Sequence, residues 1–220
     1  MTNKIYPKLY NKPDEQKEVL PVENQFNQHS QEGSMPFQHG GHEMFDVQEV
    51  LSGAVSLLNT YKITKEMVQD VELKEVMDRQ VSFLTQEYNT LLEAFQTGSK
   101  PTVSLKSYMM KMDHNFTYGL KESEPVTPIT QVTDMNDQHV SSLLLGMMKS
   151  SASLRAMTAL EMTNPVVRRV VADSVPNVVE MAYELSLYQN HHGYYQVPQL
   201  PTQDMQKMMN AYGPSSNTVH

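Results

Sequence analysis

Apolar and small side chains recur at alternating steps of four and three along four stretches of the chain. This spacing places one stripe on the inward face of a helix packed lengthwise on other helices. The clearest stripe is Val167, Val171, Ser174, Val178, Met181, Leu185 and Tyr188. Asn164 precedes it with a side chain able to accept a backbone N–H, and Pro165 occupies the first helical position, where a missing N–H costs nothing. Pro176 removes an interior hydrogen bond and predicts a kink over 172–176. The helix is expected to end after Tyr188 and to leave through His191, His192 and Gly193 into Tyr194 and Tyr195.

Three further stripes predict three further helices. Val47, Leu51, Ala54, Leu58, Tyr61 and Val68 mark a first helix beginning near His42, about 25 residues and on the order of 40 Å long. Asp70 caps a second, with Met77, Val81, Leu84, Tyr88, Leu91 and Phe95 on its seam and Gly98 and Pro101 as the stop. A third starts at Asp134 or Asp137, carries Val140, Leu144, Met147, Leu154, Met157 and Leu160 inward, and runs to Thr163. Between the second and third, residues 99–133 hold Gly119, Pro125 and Pro128 and no long period, with Leu105 to Phe116 as a candidate short helix. Two short-looped hairpins joined by so long a connection describe an all-α, ferritin-like four-helix bundle with a crossover, spanning residues 42–198. Residues 1–41 lack either period and are rich in Pro, Gln, Asn and His, which predicts a polar arm without a core of its own. Residues 199–220 read as a flexible tail. Within it Met205, Met208 and Met209 share one helical face, as a partner-binding helix or as a last turn packed on the same chain.

Composition narrows the picture. A chain of 220 residues, 39% hydrophobic and 19% charged, has apolar material for one domain plus tails. A formal net charge of -8 argues against nucleic acid or an anionic membrane surface as a partner, and the basic doublet Arg168 and Arg169 reads as a solvated helix face. Cysteine is absent, which removes disulfides, thiolate metal sites and a thiol nucleophile and fits a chain made inside a cell. With no basic start leading into an apolar run, and no apolar stretch near the roughly 20 residues of a membrane helix, the expectation is synthesis in the cytoplasm without a signal peptide or a membrane span. The 17 methionines read as flexible core filling.

Candidate chemistry changes little. A di-metal carboxylate site in such a bundle needs a Glu from each of two helices and a Glu-x-x-His pair from each of the other two. The second helix offers Gln80, Gln86 and Glu87 but no His, and the fourth offers Glu180 and Glu184 with no His three residues on. Glu49 lies off its stripe, His139 sits at a helix start, and Glu161 alone falls near a seam, so these side chains are expected at the surface or as caps. The helix interior is expected to hold no charged ligand. His29, His39 and His42 lie on the arm without supporting ligands. Ser141, Ser142, Ser150, Ser151 and Ser153 stand in no nucleophile motif; with Gly146 and Ala156 they mark a close approach of two helices. No catalytic, cofactor-binding or metal-binding residue, no cofactor and no small-molecule substrate is assigned. His191, His192, Tyr194 and Tyr195 form a dense polar and aromatic cluster, either a cover for the helix ends or a docking surface.

The run from Tyr183 to Pro198, YELSLYQNHHGYYQVP, together with Ala159 to Arg168, ALEMTNPVVR, resembles the coat F domain family of spore coat proteins of endospore-forming bacteria. The resemblance spans roughly His42 to Pro198, and the ending YQNxxGYYxVP is its most specific part. It implies a ferritin-like bundle made during sporulation and a structural or accessory place in the coat or an adjoining layer; other spore proteins, or further copies of the chain, are the candidate partners. The alternatives are a ferritin-like di-metal oxidoreductase and a cytosolic helical adaptor.

Overall fold

The computed structural model describes residues 39–215, and within them three of the helices begin at a side-chain cap. These are α1 (Gly41–Lys65), α2 (Val71–Thr97), α3 (Asp137–Glu161), α4 (Pro165–His191) and the short α5 (Thr202–Met209), with one 3-10 turn at Val132–Asp134. No strand forms among the described residues; Tyr118 and Val197 make an isolated parallel bridge. The polar arm over residues 1–38, with His29, and the last five residues of the expected tail lie outside the described residues.

Asp70 accepts the N–H of Glu72 at 2.8 Å, and Asn164 accepts those of Val166 and Val167 at 2.9 and 3.1 Å, as expected of both caps. At the third helix Asn136 is the cap, accepting from His139 N. Asp137 instead turns across the gap and accepts the N–H groups of Gln69 and Asp70. Gly98 ends α2 at a φ of 63°, a left-handed conformation that a side chain would strain, and its carbonyl accepts from the Asn164 side chain. α4 runs through Pro176 without a break and three residues past Tyr188, to His191.

Each long helix packs on two others: α1 on α2 and α3, and α4 on α2 and α3. The polar contacts fix their directions. Glu43 at the start of α1 meets Thr163 and Asn164 between α3 and α4, while Tyr188 at the end of α4 meets Asp70 at the start of α2. The end of α2 and the start of α3 are therefore at opposite ends, and residues 99–133 have to travel the length between them.

Every expected seam residue of α4 is buried. The other seams are shifted. In α2 the inward positions are Leu73, Met77, Gln80, Leu84, Glu87, Leu91 and Ala94, with Val81, Tyr88 and Phe95 half-buried beside them. In α1, Val50 and Leu57 are buried where Leu51 and Leu58 were expected. In α3 the inward face is Val140, Ser141, Leu144, Leu145, Met148, Arg155 and Thr158, whereas Met157 and Leu160 are 63% and 85% exposed. An apolar periodicity cannot find a seam whose inner positions are Gln, Glu and Arg. The expected helix over Leu105 to Phe116 is also replaced, by extended chain lying along α4.

Candidate functional site

Polar side chains form a buried spine through the helices, contrary to the expectation of a charge-free interior. Glu87 of α2 pairs with Arg155 of α3, both almost fully buried. The second Glu87 oxygen accepts from Asn177 of α4 at 3.2 Å, and Ser151 accepts from Arg155 Nε at 3.2 Å. Two helical turns further along α4, Glu184 is buried and accepts from Arg79 at 2.5 Å, from Gln80 at 2.9 Å, from the Tyr108 hydroxyl at 2.5 Å and from Lys111 N at 3.2 Å. Gln80 in turn accepts from the Tyr61 hydroxyl and donates to the Met181 carbonyl. All four long helices and the crossover thus meet in one network, and each buried carboxylate is matched by a guanidinium, the arrangement that makes such burial tolerable. Burial, then the neighbouring Glu184, pushes the Tyr108 hydroxyl well above its ordinary value; burial does the same to Tyr61. Both phenols stay neutral donors.

A second set of contacts runs along α4 at seven-residue spacing. Asn177 accepts from Tyr108 N at 2.8 Å and donates to Lys106 O at 3.0 Å; Glu184 holds Tyr108 and Lys111; His191 meets Asn115 O at 2.8 Å. Asn190 adds Thr117 N and O, at 2.6 and 3.0 Å. Two helical turns advance about 10.5 Å, which extended chain covers in three or four residues. The crossover is thereby held extended, its backbone groups satisfied by α4 side chains instead of by a helix of its own.

The cluster after Tyr188 fastens one end. Gln189 donates to Ser141 and Ser142 of α3, and its carbonyl accepts the N–H groups of Tyr194 and Tyr195 across Gly193, which has a φ of 73°. Tyr188 donates to Asp70 at 3.0 Å; His192 lies 3.0 Å from the same carboxylate and its ring stacks with Tyr194. Gln196 accepts from Lys121 N, and Gly119 N donates to Val197 O. Tyr195 remains partly exposed, with Lys149 over its ring at 5.3 Å. Burial raises the Asp70 pKa and its hydrogen bonds from Glu72, Tyr188 and Leu73, with His192 nearby, more than reverse this, leaving it lowered. At the opposite end Glu43 is buried and accepts from Thr163 N and Asn164 N, both at 3.0 Å, from the Thr163 hydroxyl, and at 2.7 Å from His39. Its pKa too is lowered, because these hydrogen bonds outweigh the effect of burial. His39, expected on the arm, instead packs on Phe95, with Nε2 2.9 Å from its carbonyl oxygen.

Of the carboxylates weighed for metal chemistry, expected at the surface or as caps, two lie elsewhere. Glu87 and Glu184 are inside; Glu49 and Glu161, including the one expected near a seam, are exposed; Glu180 and Gln86 are half-buried. The donor set does not suit a di-metal centre. The two carboxylates of the spine are each engaged by an arginine and no imidazole joins them, while Glu43 lies at the far end of the helices with His39; among the described residues no group of three or more His, Asp or Glu is gathered to hold an ion. Sequence periodicity missed Arg155, Glu87 and Gln80 as interior residues. The available signal was the seven-residue spacing of Gln80 and Glu87 matched by that of Asn177 and Glu184.

The comparisons agree with the sequence resemblance. The Coat F domain matches residues 136–198, from the α3 cap through the corner that closes on Val197. The spore coat protein F-like protein YhcQ of Bacillus subtilis (strain 168) is 44% identical over 203 residues, covering 89% of this chain and 94% of that one. In fold, the chain is similar to a crystal structure of a protein from Bacillus halodurans C-125 described as a candidate spore coat protein, with a TM-score of 0.54 and 16% identity over 76% of this chain and 97% of that one. No described helix is long and apolar enough to cross a membrane. The chain is all-helical and belongs to the coat F family of spore coat proteins, with a structural or accessory role in the spore coat among other coat proteins.

Proposed function

We propose that the chain is a non-enzymatic packing module of the coat, a ferritin-like four-helix bundle over residues 42–198 in which arginines stand where a metal centre would otherwise supply positive charge. The observation that carries this reading is the pairing of Glu87 with Arg155 and of Glu184 with Arg79. The helix order and directions support the ferritin-like connectivity: two hairpins, with the end of α2 and the start of α3 at opposite ends. Residues 1–41 and 199–220 are assigned as polar segments that tether the module to neighbouring coat components, through many weak contacts acting by effective concentration. α5 is consistent with such a use, since none of its residues is buried.

Metal content and thermal stability test the reading. Protein purified without chelator should carry no stoichiometric iron or manganese by elemental analysis, and added metal should leave the melting temperature unchanged. Bound metal at whole-number stoichiometry, with a melting temperature that rises on metal addition for the unmodified chain but not for Glu184→Ala, would favour a di-metal oxidoreductase instead.

A further inference from the structure

The outward face of α3 carries a second seam. Leu143, Met147, Ser150, Leu154 and Met157 follow one another at steps of three or four, with Gly146 beside Met147, and all are exposed or half-buried. Most of them line the α3 wall of a groove of about 660 Å³ whose other wall is Val50, Gly53, Ser56 and Leu57 of α1. Between Asp137 and Glu161 the only exposed charge on α3 is Lys149, in a chain whose formal net charge is -8. Charge depletion around an apolar centre is what distinguishes the middle of an interface from ordinary surface.

The seam is complementary to itself run backwards. With Ser150 opposite Ser150, positions equally far to either side meet. Leu143 falls on Met157, Gly146 on Leu154, and Met147 on Ser153, so that small meets large at the inner positions and apolar meets apolar further out. At the limits His139 falls on Glu161. Glu161 is exposed and His139 is half-buried. A twofold-related copy would set each histidine beside the other chain's carboxylate. From Ser142 to Leu160 the face is about 28 Å long. With α1 beside α3 it is on the order of 20 Å wide. That projected area of about 560 Å² approaches the roughly 800 Å² that each partner loses in a standard stable interface, before side-chain relief is counted.

We infer that this face pairs with the same face of a second copy, α3 antiparallel to α3 about a twofold axis at Ser150. Closed twofold pairing is the commonest way for identical chains to associate. The pairing does not depend on the proposed non-enzymatic role, and it is tested on the purified chain outside the spore.

The chain has no native cysteine, so single introduced thiols report the register directly. Under mild oxidation Ser150→Cys should give a disulfide-linked dimer in high yield. Ser153→Cys alone should not, but should cross-link when mixed with Met147→Cys. Sedimentation of the full chain at micromolar concentration should show a dimer, and Ser150→Arg, at an exposed position, should weaken it at least 100-fold with helical circular dichroism unchanged. A monomer at all accessible concentrations would overturn the inference. So would a dimer that survives Ser150→Arg, or one that cross-links through Ser153→Cys alone in preference to Ser150→Cys.

Discussion

Glu43 illustrates how single side chains hold this fold. It is buried, and it accepts hydrogen bonds from the turn between α3 and α4, 120 residues away in sequence. Burial on its own would raise its pKa; the hydrogen bonds from Thr163, His39 and Asn164 lower it below the ordinary carboxylate value. The unfolded chain therefore takes up the proton first as the pH falls. Stabilisation from this group is complete at neutral pH, diminishes as the pH drops through the ordinary carboxylate range, and is gone below the folded-state value. Asp70, lowered in the same sense, adds to the same limb. Glu43→Gln should cost about 1–3 kcal/mol at pH 7, and denaturant titrations from pH 7 to 3 should show a shallower acid decline than in the unmodified chain. An equally steep decline would assign the acid sensitivity to other carboxylates.

At the scale of elements, the α4 ladder explains why the crossover stays extended. Asn190 holds both backbone groups of Thr117 and also donates to Tyr195 O, so one side chain ties the crossover to the corner after α4. Asn190→Ala should speed amide exchange around Thr117 to Gly119 by an order of magnitude or more while the centre of α2 exchanges as before; equal acceleration in both would mean that the crossover opens only with the whole domain. Legibility in the sequence follows the same chemistry. The α4 seam was readable because each of its seven positions is apolar or small. Leu84 and Leu91 were readable in α2, but Gln80 and Glu87 displaced the apparent stripe onto Val81 and Tyr88. In α3 the apolar residues Met157 and Leu160 mark an outward face, and the inward turn is marked by Arg155, a residue that periodicity assigns to solvent. The crossover showed only its lack of period, since its partners are side chains some 70 residues further on.

For the whole molecule, the interior polar spine decides between a structural module and a site of chemistry. A buried pair is costly to break from one side: Arg155→Met alone leaves Glu87 uncompensated, at about 3–5 kcal/mol. Replacing both partners with apolar residues of similar volume is often neutral or stabilising. If the interior only holds the helices together, the chain carrying both Glu87→Leu and Arg155→Met should fold and serve as the original does. The most direct measurement is the accumulation of that doubly substituted chain, as a fluorescent fusion, in the coat of sporulating cells, beside the unmodified fusion and with the folded state checked by thermal melting. Equal accumulation and equal resistance to extraction are predicted. A variant that melts as the original does but fails to enter or remain in the coat would contradict the account and make the buried pair part of what the protein does there.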